Sequence, residues 1–170
     1  FALFHGNLGV PENYNAALWL LQNVLANGAP AMIAGLNPPR FLERAIAALP
    51  NVRLVPNPSS EEMGRLVENA QVHLLYTSQE TGLKLKLLNV VFAGRFILCN
   101  SKMLFGTGIK QGGGLVVADS ADAYRKKLEE LLDADFPETE KKAREDLASR
   151  FSNQSNIQKL IAEIGMRDKD

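Results

Sequence analysis

A chain of 170 residues suits one domain with a sizeable core. Apolar residues make up 46% of it, which excludes a disordered chain. Lys plus Arg is 19 and Asp plus Glu is 19, so bulk charge gives no argument for nucleic acid or an anionic membrane as partner.

The first apolar run, "FALFHG", closes at Gly6 and reads as a strand. "PENYNAALWLLQNVLANG" carries Pro11 at the first-turn position, a broad apolar stripe through Ala16, Leu20 and Val24, and a stop at Gly28, which predicts a helix. "PAMIAGL" is strand two, "PRFLERAIAALP" a helix ended by Pro50, and "NVRLVPN" strand three. A serine cap and acidic first turn predict a helix over "SSEEMGRLVENA". "QVHLLYT" is strand four, and "TGLKLKLLNVVFAGRF" reads mostly as a buried helix. Strand five is "RFILCN", which would bury Cys99, and strand six is "GGLVVAD". Between them "NSKMLFGTGIKQGGG" is a long loop with five glycines, of the kind that is functional or mobile. "SADAYRKKLEELLDA", "TEKKAREDLASRF" and "NQSNIQKLIAEIG" close the chain as three helices.

Strands alternate with helices, and the strands are short and apolar without clear alternation. That predicts a doubly wound α/β domain with a parallel sheet of about six strands, Rossmann-like, over residues 1–150. Residues 151–170 are expected as a separate terminal helix. The chain opens without Met and already inside a strand, which implies a piece of a longer protein. No run is long enough to span a bilayer. The single cysteine excludes an internal disulfide framework and fits a reducing compartment.

Ligands of open α/β sheets bind beyond the carboxyl ends of the strands. The turns there, "HGNLGVPEN", "GLNPP", "PNPSS", "TSQETG" and "NSKMLFGTG", are rich in Gly, Asn and Ser and poor in acids. That inventory suits a polar, phosphate-bearing ligand better than acid–base or metal chemistry, and no metal site is expected. GxGxxG, GxxxxGK[ST] and GxSxG are all absent, which argues against a dinucleotide-dependent dehydrogenase, a P-loop and an α/β-hydrolase. His73, inside a strand, is expected to be structural, whereas His5 ends strand one at the mouth of the site.

Lys84 and Lys86 stand at the start of the helix that follows strand four. Cations there are disfavoured by roughly 0.3–1 kcal/mol each against the helix dipole. A bound anion would reverse the sign. Gly82, Lys86 and Asn89 share a helix face, offering close backbone approach, a cation and an amide, as a phosphate followed by a ribose hydroxyl would require. The competing reading has the lysines solvated and Asn89 capping a neighbour in the core.

Three of these segments resemble the carboxyl-terminal, donor-binding half of GT-B glycosyltransferases, in the large retaining family four (glycosyl transferases group 1, bacterial type). They are "FHGNLGVPENYNAALWLL", "AMIAGLNPP" and, most specifically, "TGLKLKLLNVVFAGRFILCN". The resemblance implies binding of a nucleoside diphosphate sugar without a cofactor. Lys86 and Lys84 would stabilise the leaving diphosphate, and Gly6, Asn7, Gly82, Leu83, Asn89, Glu80 and Thr81 would line the donor site. The sequence departs from the family where Asn89 and Thr81 replace two glutamates, with Glu80 beside Thr81. Asn7 and Asn13 stand where cations are common.

The implied enzyme transfers a hexose-type sugar to a glycan or lipid-linked acceptor in polysaccharide biosynthesis. It would be cytoplasmic, peripheral to the inner face of the membrane in the full-length protein, with the acceptor held by a missing amino-terminal domain reached by the last helix. This fragment alone would be inactive. Rival readings are a GT-B sugar-nucleotide epimerase and a degenerate, non-catalytic binding or scaffold module.

Overall fold

A computed structural model describes residues 1–80, 85–93 and 95–149. Strands β1 (Ala2–Asn7), β2 (Ala31–Leu36), β3 (Val52–Pro56), β4 (Val72–Leu75), β5 (Phe96–Cys99) and β6 (Leu115–Val117) form one sheet in the order β3-β2-β1-β4-β5-β6. Every pairing between neighbours is parallel. Such a sheet needs crossover helices and cover on both faces, as the short apolar strands imply.

Helices α1 (Pro11–Asn23), α2 (Arg40–Ala47) and α6 (Ala121–Asp133) enclose one core around Phe4, Ile33, Leu74 and Leu98. On the opposite face, α3 (Ser60–Asn69) covers Leu3, Ala34 and Val55. There also α4 (Leu85–Ala93), α5 (Ser101–Leu104) and α7 (Glu138–Ser149) pack over Leu75, Ile97, Cys99 and Leu115. The punctuation of these helices follows local chemistry. Pro11 begins α1, which ends at Asn23; a short 3-10 turn, Leu25–Asn27, then carries the chain to Gly28 in the left-handed region at φ 99°. Ser59 accepts from the Glu62 N–H at 3.1 Å and Ser120 from the Ala123 N–H at 3.2 Å, each satisfying a first-turn donor.

Two elements depart from expectation. Residues 101–104 within the glycine loop form α5, with the Asp119 carboxylate accepting from the Ser101 N–H at 2.8 Å. The end of that loop is pinned by packing. Arg144 of α7, only 5% exposed, donates to the carbonyls of Gly113 at 2.6 Å, Arg95 at 2.8 Å and Val90 at 3.3 Å. The Glu140 carboxylate accepts from the Gly114 N–H. A β-carbon on Gly113 would lie 3.2 Å from the Arg144 backbone, and one on Gly114 2.5 Å from the Phe136 ring. Two of the five glycines therefore serve the clamp that joins β6 to α7.

Secondly, α4 is buried on one side only. Leu87, Val90 and Val91 face the core, while Leu85, Asn89 and Phe92 form an exposed stripe at helical spacing. Asn89 therefore does not cap a neighbour in the core. Thr81, Gly82, Leu83 and Lys84 lie outside the described residues, as does the expected terminal helix over 151–170.

Candidate functional site

Strand order reverses between β1 and β4. The chain leaves β1 for α1 on one face and leaves β4 for α4 on the other, so the crevice between their carboxyl ends is the switch point at which such sheets bind ligands. The β1–β4 ladder is short, with Ala2 opposite Val72 and Leu3 opposite His73. On its other edge β1 stays paired with β2 as far as Asn7.

Among the described residues, two side-chain bonds cross this crevice. Lys86, in the first turn of α4, reaches over the end of β1, and its Nζ donates to Asn13 Oδ1 of α1 at 2.5 Å. The same Nζ lies 4.9 Å from the centre of the Phe4 ring. Gly6 makes room for it, since a β-carbon there would lie 3.1 Å from Lys86 Cε and 3.3 Å from Nζ. Beside it, Thr77 Oγ1 donates to Glu12 Oε1 at 2.8 Å and accepts from the Gln79 N–H at 3.1 Å. Thr77 is itself fixed from below by Asn100, whose amide donates to the Thr77 carbonyl at 2.7 Å and accepts from its N–H at 3.3 Å.

The electrostatics single out Lys86. Burial lowers the ammonium pKa from 10.5 to about 8, an effect that the Glu12 carboxylate offsets only in part. Lys86 is thus a half-buried cation at the switch point whose direct partner is a neutral amide, with the Glu12 carboxylate acting on it through space. His5, at the end of β1, is held neutral: burial first, then the Lys86 charge, lower its pKa to about 4. His73 is 6.5 Å away edge-on, lowered to about 4 by burial, then by His5 and Arg144, with a small opposing contribution from the Val67 backbone. Cys99 is fully buried and its thiol is pushed up to about 12, so it is no nucleophile.

Of the residues singled out from sequence, Gly6, Asn7 and Lys86 come together. The Asn7 carbonyl accepts from Asn13 Nδ2 at 2.7 Å, and its Oδ1 accepts from the Gly9 N–H at 3.1 Å. Glu80 is exposed beyond β4, and Asn89 is exposed three residues past Lys86 on α4. An adjoining pocket of about 410 Å³ opens beside Gly6, walled by Leu36, Pro58 and Met63 with Asn7, Ser59 and Ser60 as polar groups. Glu12, Thr77 and Asn100 were not apparent from sequence, because their partners lie 65 and 23 residues away and no local pattern marks them. Among the described residues, no group of three or more His, Cys, Asp or Glu could hold a metal ion, and no helix is long and apolar enough to cross a membrane.

Most of the chain superposes on part of larger proteins. It matches an α,α-trehalose-phosphate synthase (UDP-forming) from Burkholderia xenovorans, in complex with glucose-6-phosphate, with a TM-score of 0.64 at 14% identity. It matches AviGT4, a glycosyltransferase involved in avilamycin A biosynthesis, with a TM-score of 0.61 at 16% identity. These structural neighbours are GT-B glycosyltransferases. The chain is covered to 98% and 95%, but spans only 43% and 52% of those two proteins. No family model matches the sequence, and no curated protein matches it either. The likeness at this identity is one of fold: a six-stranded, all-parallel, Rossmann-like unit of the kind that GT-B glycosyltransferases contain.

Proposed function

We propose that the chain is the donor-binding half of a retaining glycosyltransferase of the GT-B type, and that it binds a nucleoside diphosphate sugar. The observation that carries this reading is Lys86, a desolvated cation spanning the switch-point crevice beside Gly6. A diphosphate placed there would complete the ion pair with Lys86. The nucleoside would extend into the pocket beside Asn7 and Ser59, which is largely apolar with a few polar groups. Charge builds on the diphosphate as the sugar leaves, so a fixed cation stabilises the transition state more than the ground state. Lys84 and the backbone at Gly82 and Leu83 join Lys86 on the strength of the sequence resemblance, as do Glu80 and Thr81 in lining the donor site and Asn89 on the ribose side. The acceptor, a glycan or a lipid-linked sugar, would be held by the other half of a longer cytoplasmic protein, at the inner membrane face where the acceptor is a lipid.

Calorimetric titration of the chain with uridine diphosphate, guanosine diphosphate and the bare nucleosides tests the reading. Lys86→Ala is expected to weaken diphosphate binding far more than nucleoside binding. Equal losses for both, or no diphosphate binding by the parent chain, would remove the donor site. A second reading, a non-catalytic binding module, is favoured by neutral Asn89 where the resemblance calls for a glutamate. A product assay on the full-length protein separates the two.

A further inference from the structure

We propose that Asn13 is a positioning residue, whose side-chain amide holds the Lys86 ammonium across the crevice and sets how strongly that cation attracts an anion. The inference rests on the reading of Lys86 as the anion-binding cation. Lysine has a long flexible stem and a strongly hydrated head, so left alone it would turn to water. Here the head is fixed from the opposite face of the sheet. Asn13 Oδ1 accepts from Nζ at 2.5 Å, and the orientation of that amide is in turn fixed by Nδ2 donating to the Asn7 carbonyl at 2.7 Å. The Asn7 carbonyl thus decides which end of the Asn13 amide meets the cation.

The choice of an amide matters. A carboxylate at this place would neutralise Lys86 and repel an incoming anion. The amide supplies an acceptor and leaves the positive charge intact. The carboxylate next door, Glu12, has its Oε1 taken by Thr77 Oγ1 and acts on Lys86 through space. From β1 the Phe4 ring lies under Lys86 Nζ, and the titratable group that senses its charge is His5, kept neutral by burial and by the lysine itself. The charge that Lys86 presents is therefore offset at a distance by Glu12 and, at direct contact, by whatever position 13 takes away.

The test reads Lys86 directly, by NMR titration of its side-chain Cε–Hε signal in the whole 170-residue chain without ligand. Pyrophosphate affinity is measured in parallel between pH 7 and 9.5. Asn13→Asp is expected to move the Lys86 midpoint upward by about 1–3 pH units, as a close opposite charge does, and to weaken pyrophosphate binding at least about tenfold. Asn13→Leu, of similar size but without an acceptor, is expected to move the midpoint downward and to shift the pH at which pyrophosphate affinity falls by the same amount. A midpoint unchanged in both variants, with stability alone affected, would overturn the positioning role. Should Lys86→Met bind pyrophosphate as well as the parent chain, the anion site itself fails, whatever the Asn13 variants do. Loss of binding in Lys86→Met with an unmoved midpoint in the Asn13 variants keeps the site and rejects only Asn13.

Discussion

Replacing Lys86 by Met should stabilise the unliganded chain, and the gain should fade as pH rises. Desolvation of the half-buried ammonium lowers its pKa from the ordinary 10.5 to about 8. At 1.36 kcal/mol per pH unit, that difference corresponds to about 3 kcal/mol by which the folded state disfavours the charged form. Solvent reaches part of the side chain, so about 1–3 kcal/mol is the working figure. Below pH 8 the lysine is charged in both folded and unfolded chains, and the cost is present in full. Between about 8 and 10.5 the unfolded chain binds more protons than the folded one, so stability from this group rises with pH. Above 10.5 both forms are neutral and the cost has gone. Met keeps the stem's apolar contacts without the charge, while Asn13 Oδ1 loses its donor at a pH-independent cost of about 1 kcal/mol. Urea unfolding at a series of pH values gives the difference between variant and parent. It should be most favourable to Met at pH 7 and decline by about 1–3 kcal/mol by pH 10.5. A difference that stays constant over that range would mean that Lys86 is solvated and carries no desolvation cost.

Three further outcomes are expected. Gly35→Ala should lower stability by about 3 kcal/mol or more in thermal unfolding, because a β-carbon there would sit 1.7 Å from the Gly6 carbonyl oxygen, and that contact is backbone. Arg144→Leu should cost about 3 kcal/mol, since three carbonyl acceptors lose a buried cationic donor; loss of hydrogen-exchange protection should be concentrated at Gly113–Leu115 and the end of α4. His5 and His73, both lowered to about 4, favour the neutral form in the folded chain, so stability should fall as pH drops from 6.5 through 4; His73→Leu should flatten that dependence in chemical denaturation.

The alternation of strand and helix was legible because each element carries its own signal: Pro11, the serine caps at Ser59 and Ser120, and Gly28 are local devices with local causes. That Gly6 and Lys86 lie at the crevice was legible because one closes a strand and the other opens the following helix, and those ends meet at one edge of this architecture. What the sequence hid is non-local. The loop glycines looked like freedom of movement, yet Gly113 and Gly114 are needed because Arg144 and Phe136, far along the chain, press against them. Lys86 meets Asn13 across 73 residues, a pairing that no helical or strand period can encode. The run from Thr81 to Phe96 read as buried because leucine, valine and phenylalanine dominate it. The exposure of Leu85 and Phe92 follows instead from which side of α4 turns toward the sheet.

The short ladder between β1 and β4 also bears on the order in which the molecule comes together. Each half of the sheet, β1 to β3 and β4 to β6, is built from neighbours in sequence, whereas the seam joins Ala2 and Leu3 to Val72 and His73. The bonds from Glu12 to Thr77 and from Asn13 to Lys86 lie directly above that seam and span 65 and 73 residues. Contacts of such long range are costly to close in loop entropy, and they are natural candidates to form after the rate-limiting step. A ligand seated on them would then act as a staple on a finished object. It would retard opening of the seam and leave the speed of folding nearly untouched, so that a bound chain resists unfolding as a matter of lifetime more than of assembly rate.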